Sequence, residues 1–402
     1  MQVDSEDEIE VSPFDWPKGF YSDSTHAGLK PDGDDMGWIY SEVPAEAAGV
    51  YTTNQFQAAP TTLTKQTINL NYQLQAVVMN SGNANSCNGE QGISDAEMMQ
   101  QMVADRLQIQ ANLVGIASTG VIGEPLPMAK IKAGISELKL TKNVGLTKAI
   151  LTTDTHPKTM TVKCVINDQP VTITGFCKGS GMIHPNMATM LGFVTTDAVI
   201  SGSQLQQLLS HTVDETFNQI TVDGDTSTND MVVVMANGQA HNQPLTDTNP
   251  DYSTFAVAFE TVLAHLAKEI AGDGEGASKL VEVNVKGALN HLEGQQVAKA
   301  IVGSNLVKAM IFGEDGNWGR IMQAIGQTDA HVDIDGVSVS INGIQLVKNS
   351  MGTGIDDAEV SATLKNKVVT IDVDLNAGSA AGTAWGCDLT YKYVQINASY
   401  RS

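Results

Sequence analysis

The sequence predicts an α+β protein in which antiparallel sheets are covered by helices. Three observations point there: stretches of period-two alternation that turn at Asn-Asp or Asn-Gly, amphipathic helix-period stretches opened by capping residues, and no regular strand–helix alternation along the 402 residues. This length suggests two or three structural units at roughly 100–200 residues each.

Taken in order, residues 1–18 form an acidic extension (Asp4, Glu6, Asp7, Glu8) that reads as solvated and ends near Pro17. Its charge is opposite to that of a secretory signal. Residues 74–79 and 113–117 are short apolar runs ending in small polar residues and glycine. Ser94 and Glu97 read as a capping box ahead of Met98, Met102 and Val103. Pro127 opens a helical stripe of Met128, Ile131, Ile135 and Leu138. Met160, Val162, Cys164 and Ile166 alternate, turn at Asn167-Asp168, and resume at Val171 and Ile173, which predicts a hairpin.

Ser203 and Gln206 read as a second capping box, before Leu205, Leu208, Leu209, Val213, Phe217 and Ile220. Residues 242–251 read as a surface loop. A longer helix carries Phe255, Phe259, Val262, Leu266 and Ile270 and stops at Gly272. Val337, Val339 and Ile341 alternate before Asn342-Gly343, a hairpin signal. Alternation returns at Val369, Ile371, Val373 and Leu375, and again at Leu389, Tyr391 and Tyr393. No boundary between structural units is legible.

With 23 Lys and Arg against 45 Asp and Glu, the formal charge is −22. Such a surface repels phosphate backbones and acidic headgroups, which argues against nucleic-acid or membrane partners. No stretch approaches the roughly 18–20 apolar residues of a membrane helix. The cysteines, Cys87, Cys164, Cys177 and Cys387, are scattered and read as buried thiols of a reducing cytoplasm. The eight histidines show no metal-ligand spacing. Gly272-Asp273-Gly274-Glu275-Gly276 follows a helix and lacks the Gly-Lys-Ser/Thr ending of a phosphate loop. No metal and no cofactor is therefore expected.

Polar, glycine-containing clusters end several elements: residues 80–85, Ser118-Thr119-Gly120, Lys178-Gly179-Ser180-Gly181 and residues 313–317. Each alone is an ordinary turn. The segment from Lys178 to Asp197 stands out, because Thr189 follows the small Ala188 and opens the apolar run Met190-Leu191-Gly192-Phe193-Val194. Were Thr189 a chain terminus, its α-amine, with an ordinary pKa of about 7.7–8.0, would be partly free base at neutral pH. Nucleophile and base would then share one residue. On spacing alone, an ordinary threonine at a strand start is the better reading.

Residues 178–191, Lys-Gly-Ser-Gly-Met-Ile-His-Pro-Asn-Met-Ala-Thr-Met-Leu, closely resemble the self-cleavage segment of the ornithine acetyltransferases (glutamate N-acetyltransferases) of arginine biosynthesis. Further segments match in order at residues 47–54, 80–85, 118–123, 152–155, 222–230, 273–277, 313–320 and 396–398. The resemblance runs from about residue 19 to the end. It departs at residues 22–26, which are more polar than usual, and at the final Ser402, where Thr is frequent.

The resemblance implies a four-layer αββα fold like that of N-terminal-nucleophile hydrolases, differently connected. It implies self-cleavage between Ala188 and Thr189 into residues 19–188, preceded by the extension, and residues 189–402. Two such pairs would form a heterotetramer in the cytoplasm. It implies Thr189 as nucleophile, Thr119 and Gly120 as oxyanion hole, and substrate contacts from Thr152, Lys178, Thr189, Glu275, Asn397 and Ser402. The reaction would be ping-pong transfer of acetyl from N2-acetylornithine to glutamate. Acetyl-CoA as an additional co-substrate stays open, and His184 is read as structural. Two alternatives remain: an N-terminal-nucleophile aminopeptidase of the same fold, and a non-catalytic amino-acid-binding protein.

Overall fold

The computed structural model describes residues 9–184 and 190–399. In chain order the elements are β1 (Ile9–Ser12), β2 (Phe20–Thr25), β3 (Met36–Tyr51), α1 (Ala59–Asn71), β4 (Gln73–Asn80), α2 (Gly89–Leu107), β5 (Val114–Ser118), α3 (Met128–Glu137), α4 (Leu146–Ala149), β6 (Lys158–Ile166), β7 (Gln169–Lys178), β8 (Leu191–Thr196), α5 (Gly202–Glu215), β9 (Met231–Ala236) and α6 (Tyr252–Gly272). There follow β10 (Leu280–Ala288), α7 (His291–Gly303), α8 (Asn305–Phe312), α9 (Gly319–Gly326), β11 (Ser338–Ile341), β12 (Ile344–Lys348), β13 (Met351–Gly352), α10 (Asp357–Thr363), β14 (Val368–Asp374), β15 (Ala380–Cys387) and α11 (Tyr391–Ser399).

The first nine strands share one mixed sheet, ordered β1-β6-β7-β8-β9-β3-β4-β5 with β2 also on β3. The long β3 serves both halves. Its first part pairs with β2 and β4, its register shifts between Tyr40 and Ala45, and its last part pairs with β9. Such an irregularity bends a strand. One apolar cluster therefore joins Phe176, Leu191, Phe193 and Met231 of one half to Leu74, Val77 and Met79 of the other.

Because side chains alternate along a strand, the opposite faces are apolar too. Val162, Ile173, Val194 and Val234 pack against Phe255, Phe259, Val262 and Leu266 of α6 and Leu209 of α5. Trp38, Val78 and Ile116 pack against Met99 and Val103 of α2 and Ile131 and Ile135 of α3. Helices, half-sheet, half-sheet and helices make the expected four layers.

A second sheet of six strands, ordered β13-β12-β11-β14-β10-β15, has its own core with α7, α8 and α9. This unit was not separable in the sequence. Among the described residues no helix is long and apolar enough to cross a membrane.

Several local expectations need correction. α2 begins at Gly89, so Ser94 lies inside it and not at its cap. Its first turn closes on Asn88, whose carbonyl accepts from the Gly92 N–H at 3.3 Å. The cap of α5 is Ser201, whose hydroxyl accepts from the N–H of Gln204, and not Ser203. That helix stops at Glu215, ahead of Phe217 and Ile220. Tyr391 and Tyr393 lie on helix α11, since three alternating positions sample too little of a period to separate strand from helix.

The extension is not wholly solvated either. Ile9 to Ser12 pair with β6, and Trp16 is buried against Phe176 with its Nε1 donating to the Asn143 carbonyl. Of the four thiols, Cys87 is exposed and the other three are buried.

α7 lies directly on the β15 backbone. A Cβ built on Gly382 would stand 2.3 Å from the Gln295 nitrogen and 2.4 Å from the Gly294 carbonyl carbon. Gly382→Ala is expected to lower the urea-unfolding free energy by about 1–3 kcal/mol through overpacking; an unchanged midpoint would contradict this packing.

Candidate active site

The site forms where strand ends meet. The parallel β4 and β5 finish side by side, and the Asn80 carbonyl accepts from Thr119 N–H at 3.0 Å. Asn80 Oδ1 accepts from the Ser118 hydroxyl at 2.6 Å. Gly120 follows with φ +132°, and a Cβ there would stand 2.3 Å from the Gly82 carbonyl carbon and 2.5 Å from Asn83 N. Only glycine fits this crossing. Asn229, just before β9, donates to the carbonyls of Ala84 and Ser118 and ties the two half-sheets together here.

β7 delivers Lys178, whose Nζ donates to Thr119 Oγ1 at 3.1 Å. An ammonium only donates, so the Thr119 hydroxyl accepts, and its own proton remains available to a further acceptor. The turn after α6 brings Glu275, whose N–H donates to the Ser180 carbonyl and whose Oε2 accepts from Asn397 Nδ2 at 2.6 Å. Gly181 makes room for it, since a Cβ there would stand 2.3 Å from the Glu275 carboxyl carbon.

A cavity of about 90 Å³ is lined by Thr119, Gly120, Thr152, Lys178, Glu275 and Asn397, among others. These six sequence candidates come from five separate stretches of the chain, Thr119 and Gly120 sharing one turn, and converge. Ala188, Thr189 and Ser402 lie outside the described residues. Met190, the residue bonded to Thr189 in sequence, gives its carbonyl to Met231 N–H at 2.8 Å. A larger cavity of about 290 Å³ between α1 and α2 is lined mainly by uncharged side chains and converges no such set of ionisable groups.

Beneath the cavity lies an ion cluster that sequence reading left without a role. Lys158 is wholly buried, and its Nζ bonds Asp154 Oδ1 at 2.7 Å and Asp273 Oδ2 at 2.6 Å. Burial acts to lower the lysine pKa, but the two carboxylates outweigh it and raise it. For Asp154 burial raises the pKa, while Lys178, Lys158 and the N–H of Gly179 together bring it below the usual range. Asp154 and Asp273 sit inside matched segments, but nothing in their spacing announced a shared lysine.

Asp230 was also missed. Burial raises its pKa well above the ordinary value, against Lys178 and Ser227, and its Oδ2 has no hydrogen-bond partner among the described residues. His184 shares a 3.0 Å hydrogen bond with Thr221, and burial lowers its pKa. Among the described residues no group of three or more His, Cys, Asp or Glu is placed to hold a metal ion.

The depressed pKa of Asp154 has a consequence in acid. Relative to an unfolded value of about 3.9, its ionisation stabilises the fold fully at higher pH, and that contribution disappears as pH falls through the folded value. Urea unfolding followed from about neutral to about pH 3 should therefore show a steeper acid loss in the natural protein than in Asp154→Asn. Parallel curves would contradict it.

The ArgJ family model matches residues 21–402. The arginine biosynthesis bifunctional protein ArgJ of Lactiplantibacillus plantarum is 59% identical over 402 residues, covering 100% of both chains. The protein of the same name from Listeria monocytogenes serotype 4b is 54% identical over 388 residues, covering 96% of this chain and 98% of that one. The crystal structure of ArgJ from Bacillus halodurans matches with a TM-score of 0.52 and 54% identity, covering 53% of this chain and 100% of the solved one. With a family model spanning nearly its whole length and relatives this similar along it, the chain belongs to the ArgJ family.

Proposed function

We propose that the chain cuts itself between Ala188 and Thr189 and then carries acetyl from N2-acetylornithine to glutamate on the freed threonine, as an acetyltransferase of arginine biosynthesis. The observation that carries this reading is the pair of opposite charges, Lys178 and Glu275, lining one small cavity with Thr119 and Gly120. An N2-acyl diamino acid offers a carboxylate for the lysine, an ammonium for the carboxylate, and an acyl carbonyl between them.

In the first step the Thr189 hydroxyl oxygen attacks the Ala188 carbonyl. The C–N bond breaks as the nitrogen takes the hydroxyl proton, which leaves an ester that water hydrolyses. The Ala188 carboxylate and the Thr189 amine result. In turnover, Thr189 Oγ attacks the acetyl carbonyl while the adjacent amine takes its proton. The oxyanion meets the Gly120 N–H and the Thr119 hydroxyl proton that Lys178 leaves free; one such donor is worth about 2.7–4 kcal/mol in a protease precedent. Collapse breaks the acetyl C–N bond, ornithine leaves with the returned proton, and the glutamate amine then attacks the ester. Thr152 and Asn397 complete the walls, and the family resemblance adds the Ser402 hydroxyl as a substrate contact.

One further point supports the cut. The Bacillus halodurans chain is matched over its whole length by 53% of this one, the same share that residues 189–402 make up. The proposed fragments are interleaved: β7 pairs with β8, β3 pairs with β9, and Lys158 bonds Asp273. They therefore stay together once cut, and two such pairs form the heterotetramer, in the cytoplasm. The word bifunctional in both relatives' names is consistent with acetyl-CoA as a second acetyl donor.

Thr189→Ala is expected to give one uncut polypeptide on a denaturing gel and no transferase activity, where the natural protein gives two fragments. Full cleavage in that variant would contradict the assignment. Incubation with acetylornithine and glutamate should yield acetylglutamate. Free acetate in its place would favour the aminopeptidase reading, and an intact, inert natural chain would favour the binding-protein reading.

A further inference from the structure

Two lysines face one buried carboxylate at the floor of the site. The Asp154 side chain is wholly buried, bonds Lys158 Nζ at 2.7 Å, and accepts the Gly179 N–H at 2.6 Å. Lys178 precedes Gly179 in the chain and acts on Asp154 through its charge, yet its Nζ is hydrogen-bonded elsewhere, to Thr119 at 3.1 Å. Lys158 is anchored from the other side by Asp273 at 2.6 Å, and Asp273 also accepts the Thr155 N–H at 3.0 Å. A buried carboxylate needs a counter-charge within reach. Lys158 supplies it to Asp154 by direct contact, and Lys178, which reaches Asp154 only through its charge, keeps its hydrogen bond to Thr119.

We propose that Lys158 is a positioning residue: by satisfying Asp154 it keeps the Lys178 ammonium directed at Thr119 and at the substrate carboxylate. This rests on the reading of Lys178 as the carboxylate-binding residue. Remove Lys158, and Lys178 becomes the remaining cation of the cluster. It is then drawn down toward Asp154, away from both the cavity and Thr119. The walls are coupled to the same cluster: the Thr152 N–H donates to Asp154 Oδ2 at 3.2 Å, and the Asp273 carbonyl accepts from Ser180 Oγ, whose own carbonyl holds the Glu275 N–H.

A purely structural role and this competition differ in what a matched pair of variants does. Lys158→Gln with Asp273→Asn, and Lys158→Gln with Asp154→Asn, each remove one positive and one negative charge from the same buried cluster. They differ in which carboxylate remains. In the first, Asp154 is left to Lys178; in the second, Asp154 no longer attracts it. Steady-state kinetics on the self-cleaved proteins, with melting curves as a check on folding, should show KM for glutamate about tenfold to a hundredfold higher in the first pair than in the second, the scale of one charged hydrogen bond. kcat should change less than KM, as expected when binding common to ground and transition states is lost.

Equal KM values in the two pairs would overturn the proposal, because loss of packing alone does not distinguish them. Should either pair fail to melt cooperatively, the single Lys158→Gln carries the test, with a raised KM expected and an unchanged KM contradicting it. Lys178→Met separates the two levels. If it leaves KM unaltered, the underlying reading of Lys178 fails; if it raises KM while the matched pairs agree, only the role of Lys158 fails.

Discussion

The constraint on which the site depends is the burial of Lys158 between Asp154 and Asp273. Three charges taken out of water are tolerable only when their geometry is good and their remaining lone pairs are bonded. Here they are: Asp154 also accepts from Gly179 and Thr152, and Asp273 from Thr155. The same bonds hold the loops that present Thr152, Lys178 and Glu275 to the cavity. An electrostatic requirement of the interior thus becomes a positional one at the surface. It also spans the proposed scission, since Asp154 and Lys158 precede residue 188 and Asp273 follows it.

The bent sheet explains why such a site exists where it does. β3 bridges two half-sheets, so the ends of β4 and β5 from one half meet the end of β7 and the start of β8 from the other. Backbone can approach backbone at that junction only where side chains are absent, which is the part played by Gly120 against Gly82 and Asn83. Donors fixed by a rigid scaffold need no rearrangement as charge develops, and that is what an oxyanion site requires. The net charge of −22 makes local cations there more consequential. On the proposed reading, a carboxylate substrate entering an anionic protein needs the Lys178 ammonium directed at the cavity.

Much of this was legible in the residues. The hairpin at Asn167-Asp168, the helix from Tyr252 to Gly272, and the polar glycine clusters at element ends were readable because period and turn chemistry are local properties. The convergence of Thr119, Lys178, Glu275 and Asn397 was reached only through family resemblance, since they are distant in sequence. The helices starting at Gly89 and Gly202 begin ahead of the Ser94 and Ser203 patterns, the second because Ser201 supplies the capping hydroxyl. Lys158 gave no signal: a lysine at a strand start reads as a surface charge, and only the fold brings two carboxylates to it. Trp16 was hidden by its acidic surroundings, although its indole belongs in the core.

The central claim is that the acetyl group rests covalently on one threonine. Exposing the purified enzyme to N2-acetylornithine without glutamate, then quenching in acid and mapping the fragments by mass spectrometry, tests it directly. The account predicts a fragment beginning at Thr189 that carries a single acetyl ester on that residue and loses it when glutamate is added. An acetyl group found on another residue, or none on a chain that still turns over, would contradict it.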